Sequence, residues 1–312
     1  MRQIIQSTNI DFMGRKKLAW IISGSLIAIA ILAILIRGLN LGVDFTGGYT
    51  IQAAYEEAPD LNLVRSSLAD AGFEEAVVQN FGSSTEILIR MAPQPGASNV
   101  EVSNDVEAAL QPSSDKAITM QRVEFVGPQV GEELREKGGI AVLLALVGIV
   151  VYIWFRFEKK FSVGSVAALV HDVILTVGVF ALFQVEFDLT ILAAILAVIG
   201  YSLNDTIVVF DRIRENFRTM RSGTPAQVMN ASINQTLSRT LVTSLTTLLV
   251  LLSLFIFGGK IINGFALALI IGVVVGTYSS IFVASTAVLE LGISKEDMMP
   301  VEKEGADLES TP

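Results

Sequence analysis

The sequence predicts an α-helical polytopic membrane protein with six transmembrane helices and one small α+β domain between the first and second of them. Two observations predict this fold class. Hydrophobic residues make up 52% of the 312 residues, and the mean hydropathy is +0.59. That apolar content is gathered in six long runs, as in membrane-spanning segments, whereas residues 37–138 are largely polar.

The composition also excludes several kinds of site. The chain has no cysteine, which excludes disulfides, thiolate catalysis and cysteine-based metal centres, and its single histidine argues against a multi-histidine metal site. A net charge of −9 without a basic patch outside the short loops argues against binding to nucleic acid. We therefore expect no metal, no cofactor, no catalytic residue and no nucleic-acid partner.

The first apolar run is interpreted as an uncleaved membrane anchor. Residues 1–17 are polar and end in three basic residues, and the run 18–36 is long enough to cross a bilayer. A signal peptide would have a shorter apolar core, about 7–15 residues, followed by a cleavage site of small residues. Neither feature is present here, so the polar segment 37–138 is expected to follow a permanent span.

The segment 37–138 has the element order of a ferredoxin-like domain. Strands are predicted at 49–55, 76–81, 85–91 and 117–126, and helices at 60–71 and 98–110. The second helix opens on the capping box Ser98-x-x-Glu101, and Gly82-Ser-Ser84 marks a hairpin between the middle strands. The order β-α-β-β-α-β is ferredoxin-like. Because the segment has no nucleophile–base pair or phosphate loop, we expect a binding or force-transmitting module rather than an enzyme domain.

Charge predicts the orientation of the spans. Five further apolar runs follow the domain, at 139–155, 162–183, 189–210, 241–257 and 264–289, and an acidic tail occupies 290–312. The loops 156–161 and 211–240 are rich in Lys and Arg, whereas the two loops on the opposite side offer only Lys260. Since positive loops stay in the cytoplasm, both termini are predicted to be cytosolic and the domain 37–138 extracytoplasmic.

The fourth span carries a carboxylate where lipid would exclude it. Asp205 lies within the run 189–210, and an ionised residue there costs about 2.5–3.5 kcal/mol on insertion scales. Arg239 enters the next span from the cytosolic side, which places it in the same leaflet as Asp205. The two are therefore able to pair. Two alternatives are that Asp205 only holds helices together and that Arg239 only snorkels to the interface.

Other polar residues of the spans complete a candidate site. They are Asn204 and Thr206 beside the carboxylate, His171 and Asp172 in the third span, and Thr243 one turn beyond the arginine. Ordinary packing, capping or local pairing is the alternative for each of them. In the last span, Ala268, Gly272, Gly276 and Ser280 recur at intervals of four, which predicts close helix packing.

Seven motifs in order identify a family. They are Ile10-Asp-Phe-Met-Gly14, Gly42-Val-Asp44-Phe-Thr-Gly47-Gly48, Val126-Gly-Pro128-x-Val-Gly131, Phe155-Arg-Phe157, His171-Asp172, Gly200-Tyr201-Ser202-x-Asn204-Asp205-Thr206 with Phe210-Asp-Arg-Ile-Arg-Glu-Asn216, and Thr236-Leu-Ser-Arg239-Thr240 with Thr243-Ser-x-Thr-Thr247. Over residues 10–290 the chain resembles the SecF family, membrane subunits that work with SecD beside the SecYEG protein-export channel. The family belongs to the RND-type transporters.

The resemblance implies a function and its residues. It implies that the chain, with SecD, uses the proton-motive force to promote late-stage export of unfolded preproteins across the bacterial inner membrane. Asp205 would bind the proton, Arg239 would be its switching partner, and Asn204 and Thr206 would shape the site. The motif with Asp44, Gly47 and Gly48 would connect the first span to the base of the domain. Implied partners are SecD, SecYEG with YajC and YidC, preproteins, protons and membrane lipid.

Three alternatives compete with that function. Six spans with one domain are half of a twelve-span RND architecture, so a membrane partner is expected, and the chain could be a scaffold for SecD and SecYEG without its own proton relay. An RND exporter of small molecules is opposed by the small size of segment 37–138. An intramembrane protease is opposed because Leu203, not glycine, follows Ser202 and because the residues that flank a catalytic aspartate pair are missing.

Overall fold

The computed structural model describes residues 8–94, 96, 98–113, 116–220 and 222–298. Arg221, which belongs to the predicted loop 211–240, lies outside the described residues, as do the first seven residues of the predicted cytosolic N-terminus. The predicted acidic tail is described only as far as Met298.

Helices and strands alternate in the first half of the chain, and long helices fill the second. The first half contains α1 (Lys16–Arg37), β1 (Asn40–Leu41), α2 (Val43–Thr46), β2 (Gly48–Ala54), α3 (Leu61–Asp70), β3 (Val77–Phe81), β4 (Ser83–Met91), α4 (Asn99–Leu110) and β5 (Thr119–Val126). The second contains α5 (Pro128–Arg156), α6 (Lys159–Phe183), β6 (Glu186–Phe187), α7 (Leu189–Thr219), α8 (Pro225–Phe257), α9 (Lys260–Ser279), a π-helical turn (Ser280–Ala284) and α10 (Ser285–Glu290). Single 3-10 turns lie at Met13–Arg15, Gln111–Ser113 and Glu296–Met298.

Six helical segments of the described chain are long and apolar enough to cross a membrane, which confirms the predicted fold class. They are α1, α5, α6, α7, α8 and the segment Ile262–Glu290. Several of these helices extend past the apolar runs. Helix α5 begins at Pro128, whose ring suits a first helical position, and α7 continues to Thr219. Most of the loop 211–240 is therefore helical, as the end of α7 and the beginning of α8.

The small domain has the predicted ferredoxin-like order. Its sheet is antiparallel with strand order β3-β4-β2-β5, and α3 and α4 contribute to one core with the strands. Asp60 caps α3 by accepting a hydrogen bond from the amide of Asn62, and Ser98 and Glu101 form the predicted capping box of α4. The fully buried side chains of this core include Ile51, Val64, Leu68, Ile87, Ile89, Val106 and Leu110.

In the helical bundle, α6, α7 and the last span are the inner helices. Half of the most apolar stretch of each is buried, against 6% in α5 and 17% in α8. The small-residue series of the last span packs on α7, as predicted: a Cβ at Gly272 would lie 2.1 Å from Cγ2 of Val198, and one at Gly276 would lie 3.0 Å from Cβ of Ser202. Helices α5 and α8 thus present broad apolar faces outward.

Candidate functional site

Asp205 is a buried carboxylate with an unused hydrogen-bonding atom. It lies on α7, its residue is 3% exposed, and its Oδ2 has no hydrogen-bond partner among the residues that the structure describes. Two groups of α8 interact with the carboxyl group of Asp205. The guanidinium of Arg239 does so electrostatically, and the hydroxyl of Ser244 does so as a hydrogen-bond donor. Because Oδ2 makes no hydrogen bond with a described residue, the carboxyl group is able to take up or release a proton at that oxygen without losing a hydrogen bond there.

Arg239 faces Asp205 without closing on it. Its side chain is exposed on α8, and it forms no ion pair within 4.0 Å with any residue in the described part of the chain. The predicted pair therefore consists of a buried anion and a nearby cation held apart. Such a pair can exist in a closed and an open form, and the charge on Asp205 would bias the choice between them.

The other predicted neighbours differ in position. Thr206 is buried beside Asp205, whereas Asn204 is exposed on the outer side of α7. Thr243 donates its hydroxyl hydrogen bond to the carbonyls of Arg239, at 3.0 Å, and Thr240, at 2.9 Å, so it serves its own helix. In the described part of the chain, none of these three side chains forms a hydrogen bond with the Asp205 carboxylate.

A second buried carboxylate, Asp172, lies where α6, α7 and α9 meet. It is 1% exposed, and its Oδ1 lies 2.8 Å from Nδ1 of His171. Its Oδ2 accepts hydrogen bonds from Ser279, at 2.6 Å, and from Ser202. Both oxygens of Asp172 are thus engaged, in contrast to Oδ2 of Asp205. Asp172 ties three helices together, while Asp205 is the less constrained of the two.

Sequence reasoning missed the serines of this site. Ser202 binds Asp172 and lies one helical turn before Asp205, which links the two carboxylates through α7. Ser244, beside Asp205, also lies 2.7 Å from the hydroxyl oxygen of Thr277 on α9. Ser279 is next to the last member of the small-residue series. Ser202 and Ser244 stand within the family motifs quoted above, but serines are common in membrane helices, so their part in the site was not recognised.

The motif after the first span forms a junction between α1, α7 and the small domain. Oδ2 of Asp44 accepts a hydrogen bond of 3.0 Å from the amide of Leu189, the first residue of α7. Strands β1 and β6 pair in parallel, and the amide of Gly42 donates to the carbonyl of Phe187 at 2.9 Å. Because the exposed amides of a helix N-terminus attract a carboxylate, Asp44 secures that end of α7.

The glycines of the junction allow a backbone approach that other residues would block. Gly47 has φ 71° and Gly48 φ 128°. A Cβ at Gly47 would lie 2.8 Å from Cα of Pro128, the first residue of α5, and a Cβ at Gly48 would lie 2.4 Å from the carbonyl oxygen of Met91. The motif therefore joins the first span to both the second span and the sheet.

One ion pair connects the sheet with the turn before α7. Nη1 of Arg90, on β4, lies 3.1 Å from Oε1 of Glu186, on β6. Burial raises the pKa of the Glu186 carboxyl; Arg90 opposes the shift, and the negative charges of Asp188 and Asp44 add to it. Helix α7 thus carries Asp205 within the bundle and is tied at its N-terminal end to the sheet domain.

Fold and site together define a class: a membrane protein with six candidate spans, a buried carboxylate on one helix and a sheet domain tied to the same helix. Comparison with known proteins agrees. The model of "Protein export membrane protein SecD/SecF, C-terminal" matches residues 105–294, and that of the "SecD/SecF GG Motif" matches residues 32–59. The chain belongs to the SecD/SecF family of protein-export membrane proteins, as its motifs predict.

Individual relatives match over most of the chain. Protein translocase subunit SecF of Vibrio alginolyticus is 51% identical, over 100% of both chains. The subunit SecF of Escherichia coli O157:H7 is 49% identical, over 95% of this chain and 93% of its own. The crystal structure of SecDF from Thermus thermophilus, a translocon-associated membrane protein, superimposes with a TM-score of 0.82 at 38% identity. The superposition covers 91% of this chain and 39% of the longer SecDF chain.

Proposed function

We propose that this chain acts as a protein translocase subunit which, with a SecD partner, uses the proton-motive force to promote late-stage export of preproteins. One observation carries the proposal: the helix with the under-bonded carboxylate Asp205 is the helix whose outer end is tied to the external domain by Asp44. A change in the charge of Asp205 therefore acts on an element that is mechanically connected to that domain.

In the proposed cycle, ionised Asp205 attracts Arg239, and protonated Asp205 releases it. Removing a buried charge removes both the attraction and the cost of keeping a charge in the bilayer, so the two forms favour different positions of α7 relative to α8. The energy available is substantial, because one proton that crosses a membrane potential of 100 mV supplies about 2.3 kcal/mol. The junction at Asp44 and the pair between Arg90 and Glu186 would transmit the displacement to the sheet.

The proposed orientation follows the charges at the two ends of the bundle. Basic residues collect at the end away from the sheet, before α1 and between α5 and α6. By the positive-inside rule this end is cytosolic, so the sheet domain is periplasmic and the bundle lies in the bacterial inner membrane. The domain, whose sequence has no nucleophile–base pair or phosphate loop, would contact unfolded preprotein; no enzymatic activity is proposed.

Proposed partners follow from the uncovered faces. Helices α5 and α8 are mostly exposed within this chain, and the SecDF relative is a longer chain of which this one spans 39%. A SecD protein would supply the missing half of the bundle. SecYEG, with YajC and YidC, is the proposed wider assembly.

The test is gradient-dependent export in vesicles that contain SecYEG, SecD and this protein. Asp205→Asn keeps the shape of the side chain and removes the titratable charge. Asp211→Asn is the matched control, since Asp211 lies on the same helix but pairs at the surface with Arg156, at 2.8 Å. We expect Asp205→Asn to assemble with SecD and to lose the response to the gradient, whereas Asp211→Asn retains it.

The opposite outcome would favour the scaffold. If Asp205→Asn assembles and the gradient still accelerates export, the chain does not carry the proton relay, and holding SecD and SecYEG together becomes its proposed role. Arg239→Gln provides an independent check, because loss of the cation should weaken the response to the gradient without preventing assembly.

A further inference from the structure

An apolar groove opens on the outer surface of the bundle at the end away from the sheet domain. Its volume is about 630 Å³, and its walls come from α1, α5 and α6, with Trp20, Gly24, Trp154 and Ala167 among the lining residues. The hydroxyl of Ser23 at its floor lies 3.0 Å from that of Tyr278, so this polar group is already satisfied. His171 also belongs to the lining, and its Nε2 is buried without a hydrogen-bond partner among the described residues. Most of the lining is apolar, so the groove offers a surface mainly for hydrocarbon.

Both tryptophans of the chain flank this groove. The sequence contains two, and Trp20 and Trp154 are 48% and 55% exposed. Tryptophan is enriched where membrane hydrocarbon meets the headgroups, because its ring is apolar and its N–H is polar. The pair marks the groove as a feature of the outer part of one leaflet.

Two lysines without partners lie at the mouth of the groove. Lys17 precedes Trp20 by three residues on α1, and Lys159 precedes Val163 by four on α6, so each lies one turn outward on the face that lines the groove. Both side chains are exposed, and neither forms an ion pair within 4.0 Å with a residue that the structure describes. The mouth thus carries two positive charges that no acidic group among the described residues pairs with.

Three neighbouring basic residues differ from these two lysines, since each has an acidic partner at 2.8 Å: Lys16 pairs with Glu290, Lys160 with Asp297 and Arg156 with Asp211. Arg15, just before α1, is exposed and, like the two lysines, forms no ion pair among the described residues. The two lysines on the helix faces that line the groove are thus left without a counter-charge in the described part of the chain. An occupant with an apolar body and a negative head would complement both features.

The length of the groove distinguishes a lipid chain from a partner helix. Along α6 the lining runs from Ser162 to His171, which is about 14 Å at the rise of an α-helix. The hydrocarbon core of a bilayer is about 30 Å thick, so the groove covers the depth of one leaflet. A transmembrane helix would need a groove of twice that length, whereas an acyl chain of one leaflet fits.

We propose that this groove binds an anionic phospholipid, with an acyl chain against Trp20 and Trp154 and its phosphate between Lys17 and Lys159. The lipid comes from the leaflet opposite the sheet domain. Its binding follows from surface charge and shape, and it does not depend on the role proposed above for Asp205.

The two tryptophans provide the readout. The full chain is placed in nanodiscs of phosphatidylcholine that contain a small fraction of phospholipid brominated on its acyl chains, because bromine quenches tryptophan on contact. The brominated phospholipid is either phosphatidylglycerol, which is anionic, or phosphatidylcholine, which is neutral overall. If each lysine contributes about 1 kcal/mol, the anionic lipid is preferred about thirtyfold, so it should quench at a much lower mole fraction.

Variants separate the charges from the groove. Lys17→Gln with Lys159→Gln should reduce the quenching by brominated phosphatidylglycerol to the level of phosphatidylcholine. Lys137→Gln with Arg218→Gln removes the same total charge away from the groove and should change nothing. Gly24→Leu should weaken quenching by either lipid, since a Cβ at Gly24 meets no atom within 4 Å and the side chain would enter the groove.

Two results would overturn the proposal. One is equal quenching by the two brominated lipids, which would mean that only the ordinary lipid surround contacts the tryptophans. The other is an anionic preference that persists in the double lysine variant, which would place the negative headgroup elsewhere. High salt should reduce the preference if the lysines hold the phosphate.

Discussion

Adding one methyl group at Gly131 should loosen the contact between α5 and the junction motif. The Cβ of an alanine there would lie 2.8 Å from the backbone nitrogen of Gly47 and 3.3 Å from the carbonyl carbon of Phe45. Carbon contacts are optimal at about 3.5–4.0 Å. Because the neighbouring atoms belong to the backbone, no side chain can rotate away, and overpacking of this kind costs about 1–3 kcal/mol.

Alanine also favours the helix, so the net effect needs a matched control. Replacing glycine by alanine inside a helix contributes up to about 1 kcal/mol. Gly139 lies on the same helix, and a Cβ there meets nothing within 4 Å. Gly139→Ala should therefore show only the stabilisation that comes from the higher helix propensity of alanine. The difference between the variants should therefore be about 1–3 kcal/mol, with Gly131→Ala the less stable.

Hydrogen exchange measures this difference locally. The amide of Gly47 donates to the carbonyl of Val43 at 2.9 Å, and opening of the junction would expose it. In detergent-solubilised protein, this amide should exchange faster in Gly131→Ala than in Gly139→Ala. The expected factor is about ten for each 1.4 kcal/mol by which the free energy of opening the junction is lowered. If Gly47 is protected equally in Gly131→Ala and Gly139→Ala, the close approach of α5 is not a constraint, and the reasoning is refuted.

Three further predictions concern the junction and the second carboxylate. Burial raises the pKa of Glu186 above its ordinary 4.5, so the folded protein holds that proton more tightly than the unfolded chain does. The free energy of unfolding should therefore fall as pH rises from 4.5 through the raised pKa. Denaturant titrations across this range should show this decrease in the wild type and not in Glu186→Gln. Asp44→Ala removes the acceptor for the amide of Leu189, so exchange of that amide should accelerate by the equivalent of about 1 kcal/mol. Ser279→Ala removes one of the bonds to Asp172 and should destabilise the bundle by about 1–3 kcal/mol, measured as a lower thermal midpoint.

Matched variants test each of these three. Glu101→Gln removes a carboxyl whose pKa is lowered by the capping hydrogen bond from Ser98, so it should change stability with the opposite dependence on pH. Asp44→Asn keeps an acceptor oxygen and should protect the α7 amide better than Asp44→Ala. Ser253→Ala removes a hydroxyl that bonds only to the carbonyl of Leu249 and should be nearly neutral. If a test variant and its control behave alike, the corresponding interaction is not the one that stabilises the site.

Local signals predicted the small domain well. The capping box at Ser98 and the cap at Asp60 fix helix beginnings through neighbouring atoms, so they are readable from a few residues. The hairpin is present, but its turn is shorter than the predicted Gly82-Ser-Ser84: Gly82 has φ 81°, and β4 begins at Ser83, two residues before the predicted strand. The long helices are different, because hydropathy detects contact with lipid, whereas a helix such as α5 continues into polar surroundings.

The bundle site was predictable only in part. Asp205 stands out in sequence because a carboxylate in an apolar run is costly. The choice of partners depends on how neighbouring helices are rotated about their axes, which no single helix encodes. Ser202 and Ser279 therefore gave little warning that they bind Asp172. For the same reason the sequence placed Arg239 and Asp205 in one leaflet but left open whether they touch, and the structure holds them apart.

The π-helical turn in the last span lets the chain hold one extra residue without changing how the helix is aligned on either side. A π turn holds one hydrogen-bonded residue more than an α turn, whereas one extra residue in a regular α-helix would rotate everything beyond it by about 100°. With the extra residue taken up within Ser280–Ala284, Gly272 packs on Val198, and Val288, whose Cγ2 would lie 2.6 Å from a Cβ at Gly164, packs on α6. A single deletion within the turn should therefore restore regular helix and leave both contacts in place. The same deletion in the regular part of a span would move one of its ends out of register with its neighbours.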